Sequence, residues 1–390
     1  RLATFAGREA LLATLHRTLH SMDRPEMARP VVLHGPAGSG KTQLALEYTH
    51  RQRATYPGGI FWIDGGRAWA HEIGMLAETL GLSAAGPTPD LAQRDHLLVA
   101  AFHRLLLQRQ DDALLIVDGA ANPADIMQRE IGPNLHITDL HARLLITSEQ
   151  AAALADFDLL EVGPLAPDEA LAVLHAACPA CPALDRLAAY LGGLPLVLSL
   201  AAGALRGTPV EDVEALLAAL QAHVPGQDAP PAERDSAAVR VLMDWHWARL
   251  DDAARQVLML AAAYADGPVP LARLGLLAAS ADDLPPALAA LTAANLIETL
   301  APDTIGVHRL IREHVIRRAL PDPALPHAAR RLVEAYRTPQ RIQAEAGARG
   351  ILALRDDLAA TRLALAAVGQ RLDALYRLER LLDWEAYHLH

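Results

Sequence analysis

Cysteine is nearly absent, with two residues in 390, Cys178 and Cys181. That scarcity argues against a disulfide-built fold and an oxidising compartment. The two form a lone C-x-x-C. Zinc needs a second pair and a redox motif needs a thioredoxin-like strand before it, so two incidental thiols near a helix end are expected. Aromatic residues make up 4% against 52% apolar residues, so the core is largely Ala, Leu and Val, a composition that favours helices. Basic residues are short as well, 35 Lys and Arg against 46 Asp and Glu, for a net charge of −11. A broad nucleic-acid footprint is therefore not expected. The local group Arg309, Arg312, Arg317 and Arg318 suits a solvated helix face. Long apolar runs are also missing. Leu187 to Leu205 carries no charge, but Gly192-Gly193 and Pro195 interrupt it, which suits two buried helices better than a membrane span. With no signal peptide at the start, a cytoplasmic protein with no membrane partner is expected. The sequence opens on Arg1 and stops inside a helical pattern, as a piece of a larger protein would.

What is present is more specific. The apolar run Val31-Val32-Leu33 leads into His34-Gly35-Pro36-Ala37-Gly38-Ser39-Gly40-Lys41-Thr42, then into the helix-like Gln43-Leu44-Ala45-Leu46-Glu47-Tyr48. This is G-x-x-x-x-G-K-T between strand and helix, the context a P-loop requires. Backbone N–H groups of Gly35, Ala37, Gly38, Ser39, Gly40 and the helix start through Gln43 can converge on phosphate oxygens there, aided by the helix dipole. Lys41 would reach the β/γ-phosphates of ATP or ADP, and the Thr42 hydroxyl would bind Mg²⁺.

Length sets a prior of about three domains. Residues 1 to 28 hold leucines 11, 12, 15 and 19 at helical spacing. Short apolar runs follow at Val31–His34, Ile60–Asp64, Leu114–Asp118, Leu144–Thr147 and Leu159–Val162, separated by helix-like segments at 41–53, 70–82 and 91–109. Such alternation predicts a parallel sheet covered on both faces. Beyond Val162 the chain turns helical, with breaks at 179–182, 192–195 and 207–209 and a linker at 224–231. Helices near 236–265 and 285–295 precede a candidate hairpin, 296–300 with 305–308, which together suggest a winged helix. Residues 309 to 390 have helical character.

Asp118 ends an apolar strand, where a carboxylate can hold Mg²⁺ for the phosphates. Thr147 ends another, where ligands sit in open α/β sheets; it suits a γ-phosphate sensor and a strand-capping hydroxyl equally. Pro195 belongs first to a turn, and His308 is not distinguished by its chemistry among 17 histidines. Trp245 and Trp247, two apart on a helix, suit core packing.

Together these segments resemble the NB-ARC branch of the STAND ATPases. The resemblance is carried by Phe5-Ala6-Gly7-Arg8, Gly35–Thr42, Leu114–Asp118, Leu144–Ser148, Leu191–Leu196 and Val307-His308-Arg309-Leu310, in order over roughly residues 4–320. It implies an α/β P-loop NTPase domain with a five-stranded parallel sheet, followed by an all-α helical domain, a winged-helix domain and a C-terminal helical segment. The expected divisions are a linker helix at 1–28, the nucleotide-binding domain at 29–163, the helical domain at 164–230, the winged helix at 231–320 and a segment at 321–390 leading to a sensor. It further implies that Arg8 lies near the adenosine, that Pro195 packs on adenine and that His308 touches the ADP β-phosphate. Lys41, Asp118 and Thr147 would serve hydrolysis, with Thr42 and Asp118 on Mg²⁺.

The chain departs from the family pattern at Gly119, where an acidic residue often follows the strand-end Asp, at Glu149, where many carry Arg, and at Arg309, where plants have Asp. The expectation is therefore a slow ATPase that acts as an ADP/ATP switch and oligomerises on activation, with sensor ligand and effector outside this sequence. Rival readings are a steadily turning-over ATPase, a DNA-binding regulator using the winged helix, and a scaffold that keeps ADP permanently.

Overall fold

The computed structural model describes residues 7–21, 29–66, 68–83, 91–109, 111–126, 130–151, 156–179, 183–206, 210–226, 228–264, 268–278, 280 and 282–319. Phe5, Cys181 and the segment 321–390 lie outside them. The chain divides into two compact units, the first ending at Glu169 and the second beginning at Ala170.

The first unit runs α1 (Glu9–Leu19), β1 (Val31–His34), α2 (Lys41–Arg51), β2 (Gly59–Asp64), α3 (Trp69–Thr79), α4 (Leu91–Arg109), β3 (Ala113–Ala120), β4 (Glu130–Gly132), β5 (Leu135–His136), β6 (Arg143–Ser148) and β7 (Asp158–Glu161). Five strands form one sheet in the order β2-β3-β6-β1-β7, every pair parallel, while β4 and β5 make a separate small hairpin. Alternation along each strand separates two cores. Val32, Phe61, Ile63, Leu115, Val117 and Ile146 join α3 and α4 on one face. Val31, Leu33, Leu114, Ile116 and Leu145 join α1 and α2 on the other. A parallel sheet buried on both faces needs such continuous Val, Ile and Leu runs. α1 is tied to α2 through a chain of rings. His16 Nδ1 lies 3.1 Å from the Tyr48 hydroxyl, Tyr48 lies 2.7 Å from Tyr56, and Tyr56 lies 3.1 Å from His20 Nε2. Arg143, 2% exposed, donates to Leu19 O at 2.6 Å and to Asp112 at 3.2 Å, anchoring the start of β6.

α5 (Pro167–Ala177) spans the unit boundary. The second unit continues with α6 (Leu184–Leu191), α7 (Pro195–Leu205), α8 (Val210–His223), α9 (Pro231–Arg249), α10 (Asp252–Tyr264), β8 (Val269–Pro270), α11 (Leu271–Leu277), α12 (Leu284–Ala293), β9 (Glu298–Ala301), β10 (Thr304–Gly306) and α13 (Arg309–Ala319). α10 to α13 with the antiparallel sheet β8-β10-β9 make the winged helix. The uncharged run 187–205 is two helices, as its glycines and proline require. α7 packs tightly on the end of α12: a Cβ at Gly203 would lie 2.1 Å from Ala294 O. Arg206 donates to Ala293 O at 2.6 Å and Asn295 to Ser199 O at 2.8 Å across the same contact.

Trp245 and Trp247 are half-buried rather than core residues; Arg249 lies 3.6 Å over the first ring and Arg318 5.5 Å over the second. The buried residue between them is His246, 5% exposed and 2.9 Å from Leu200 O. Three of the four arginines of the basic group on α13 are engaged within the chain: Arg312 donates to Ala262 O, Arg318 pairs with Asp244, and Arg309 with Glu313, while Arg317 is exposed. No helix among the described residues is long and apolar enough to cross a membrane.

Candidate functional site

The loop between β1 and α2 has the local structure its glycines allow. Gly40, at φ 86°, adopts the left-handed conformation that a Cβ would penalise, and α2 begins at Lys41 with no side-chain cap. The helix thus presents its positive end and uncapped N–H groups to the loop. Gly35 is pressed so closely on β7's end that a Cβ would come within 2.5 Å of Val162 O. Ser39 is fully buried, yet its Oγ has no hydrogen-bond partner. An orphaned buried hydroxyl costs about 1–3 kcal/mol, a cost that an entering phosphate oxygen would relieve. Lys41 Nζ donates to the carbonyls of Gly35 and Pro36, each at 2.9 Å, which holds the ammonium back over the loop. Ala37, Gly38 and Gln43 line the same turn, half-buried.

Asp118, near the end of β3, joins this loop to the neighbouring strand. Its Oδ1 accepts from Thr42 Oγ1 at 2.8 Å and from Thr147 Oγ1 at 2.5 Å, while Gly119 N donates to Thr147 Oγ1 at 2.8 Å. Burial pushes the Asp118 carboxyl up from its ordinary value. The two hydroxyl hydrogen bonds and Lys41 oppose that, and the charge of Asp64 adds to it. A carboxylate and a hydroxyl already in contact are hard oxygen donors of the kind Mg²⁺ takes. The uncapped helix, the orphaned Ser39 and this oxygen pair fit a nucleotide's phosphates with their metal.

Arg8 caps α1 in the left-handed conformation, φ 63°. Its guanidinium donates to Gly163 O at 2.7 Å, and its backbone N–H donates to Glu169 at 2.9 Å. Burial lowers its pKa, and the Glu169 carboxylate opposes that shift. Glu149 is exposed at the end of the β6 loop. Pro195 and His308 belong to the second unit. Pro195 occupies the first turn of α7, where its missing N–H costs nothing. His308 precedes α13, and its Nδ1 accepts from Leu310 N at 3.2 Å. That bond assigns the proton of the neutral ring to Nε2.

Two signals add to the motifs. Lys41 is the only lysine in the chain. Its ammonium is a compact point charge that arginine's planar fork does not reproduce. The second is Asp64, paired in register with Asp118 across β2 and β3. Its place two residues beyond Trp62 puts it on the P-loop face by simple alternation.

The strand order β7-β1-β6-β3-β2, with the P-loop after β1 and the acidic strand end on β3, defines a P-loop NTPase. In fold, the chain is similar to a solved STAND ATPase. A STAND protein with a tetratricopeptide repeat sensor from Pyrococcus horikoshii matches all of this chain and 59% of its own, with a TM-score of 0.53 at 14% identity. In sequence, the chain is 28% identical over 333 residues to the regulatory protein AfsR of Streptomyces coelicolor, a match covering 80% of this chain. It spans about a third of that relative's length, 32%. No family model matches the sequence.

Proposed function

We propose that this chain is a nucleotide-dependent signal-transduction switch of the NB-ARC type. The observation that carries the reading is the direct linkage of Thr42, Asp118 and Thr147 beside a preformed P-loop, which joins the metal-holding residues to a strand-end sensor. Gly35 to Gln43 would cradle the phosphates, with Lys41 balancing their charge and Arg8 near the adenosine. Thr42 and Asp118 would hold Mg²⁺, which neutralises phosphate charge as the bond to the γ-phosphate weakens. Lys41, Asp118 and Thr147 would serve a slow ATPase. In the second unit, Pro195 would pack on adenine and His308, with its Nε2 proton, would donate to the ADP β-phosphate.

In this reading the linker helix (1–28), nucleotide-binding domain (29–163), helical domain (164–230) and winged helix (231–320) close on ADP. Residues 321–390 lead to a sensor. The chain opens when it takes ATP and Mg²⁺ in place of ADP, and open copies associate. Allostery here means that nucleotide binds the two arrangements with different affinity. The partial match to a regulatory protein supports a regulatory role, and we place that role in the cytoplasm.

The test is to identify the nucleotide that co-purifies with the full protein. Bound ADP is expected in the wild type and none in Lys41→Ala. His308→Ala should release ADP faster, and unchanged release would remove the latch. Fast steady turnover would replace the switch with a motor, and strong salt-dependent binding to random duplex DNA would replace it with a DNA-binding regulator.

A further inference from the structure

Position 119 is a glycine, where the resemblance would put an acidic residue after the strand-end Asp. Gly119 sits at φ +76°, where a side chain is strained, and β3 slips register against β6 between Val117 and Ala120. Its N–H is committed to Thr147. The neighbouring strand carries a carboxylate instead. Along β2, Phe61 and Ile63 enter one core while Ile60 and Trp62 pack against the other. By the same alternation Asp64 falls on the face of Ile60 and Trp62, which α2 covers. On β3, Leu114 and Ile116 put Asp118 on that face, and on β6 Leu145 does the same for Thr147. Asp64, Asp118 and Thr147 therefore form a row across three adjacent strand ends beside the P-loop. Asp64 pairs with Asp118 in register, one strand spacing away, about 4.8 Å.

The loop after β2 is fixed on the end of β3. Gly65 N donates to Asp118 O at 2.7 Å, and a Cβ at Gly65 would lie 2.7 Å from Ala120 N. Asp64 Oδ1 accepts from Gly66 N at 2.9 Å, and Glu72 holds Asp64 N at 3.3 Å. We propose that Asp64 is the catalytic carboxylate of this site, orienting the water that attacks the γ-phosphate of ATP. The water oxygen bonds to the γ-phosphorus as the bond from that phosphorus to the β–γ bridging oxygen breaks. The electron pair leaves with ADP. The water's proton passes to Asp64, which returns it to the released phosphate or to solvent. A switch with such a residue resets itself by hydrolysis, so its active state has a built-in lifetime.

This proposal rests on the nucleotide-switch reading, and the experiment separates the two. Asp64→Asn keeps the oxygen that accepts from Gly66 N and removes the charge. Full protein is titrated with fluorescent ADP and ATP, then given one equivalent of labelled ATP with Mg²⁺ in a single turnover. Asp64→Asn should bind both nucleotides within about threefold of wild type, unfold at the same temperature, and hydrolyse about 100-fold more slowly, so that intact ATP is recovered. Asp64→Glu should restore part of the rate. Hydrolysis at the wild-type rate in Asp64→Asn overturns the proposal. So does loss of binding together with hydrolysis, because the carboxylate would then be structural. If Asp64→Asn does not fold, Asp64→Ser decides, since its hydroxyl can still accept from Gly66 N: hydrolysis at the wild-type rate, or an affinity loss larger than the rate loss, overturns the proposal. Wild-type protein that binds no nucleotide would sink the switch reading itself. Wild-type protein that binds ATP and never cleaves it would leave the switch standing and remove Asp64's role.

Discussion

At the scale of single residues, one hydroxyl of the P-loop is costly as it stands: Ser39 Oγ is buried, unpartnered and in the middle of the loop. Ser39→Ala should therefore leave the nucleotide-free protein as stable or slightly more stable, because an unsatisfied hydroxyl disappears. The same change should weaken ADP binding, and thermal unfolding with and without ADP reads both signs. Asp118→Asn keeps an acceptor for Thr42 and Thr147 but loses the charge. The Mg²⁺-dependent part of ATP affinity should vanish while binding in EDTA is unchanged, as measured by titration. Most of this was legible in the sequence, because G-x-x-x-x-G-K-T and an apolar strand ending in Asp carry their own chemistry. Asp64 was not, because no motif marks it; only the pairing of β2 with β3 brings it beside Asp118. Trp245 and Trp247 misled as core candidates, since arginines can shield half-buried rings that spacing alone assigns to the interior.

At the scale of elements, the five sheet strands fall where their apolar runs lie, because β-branched and Leu-rich runs have few other destinations in a parallel sheet. The two-residue β8 and the small β4–β5 hairpin are not visible in periodicity, since such short strands show too few alternations. The stretch 236–265 resolves into α9 and α10, which part near Leu250. The α7–α12 contact gives a sharp test. Gly203→Leu would drive a side chain into Ala294 O, and overpacking of this kind costs about 1–3 kcal/mol. Urea unfolding should show a lower midpoint for that variant, whereas Gly226→Leu, with nothing within 4 Å of its Cβ, should be near neutral.

At the scale of the whole molecule, stability should depend on acidity. Burial is the largest cause lowering the pKa of His20, His103, His246 and His314 below the ordinary histidine value. The folded state thus prefers the neutral rings, while the unfolded chain binds protons near pH 6.5. The stability linked to these rings is intact above about pH 6.5 and is lost as pH falls through the lower folded values. The unfolding temperature should drop between pH 7.5 and 5.5, and His246→Gln should flatten part of that decline. Ligand linkage acts in the other direction: ADP at 100 times its dissociation constant should add about 2.7 kcal/mol to the wild type and nothing to Lys41→Ala.

The solitary lysine has a practical corollary. Every other cation in the count of 35 is an arginine, whose guanidinium does not react with amine-directed acylating reagents at neutral pH. In these residues such reagents meet a single ε-amine, and it sits where the loop after β1 enters α2. On the proposed reading, acylation mass added at that one position gauges how many molecules are empty, and an enzyme that modifies lysine side chains in this region would act by disabling nucleotide binding.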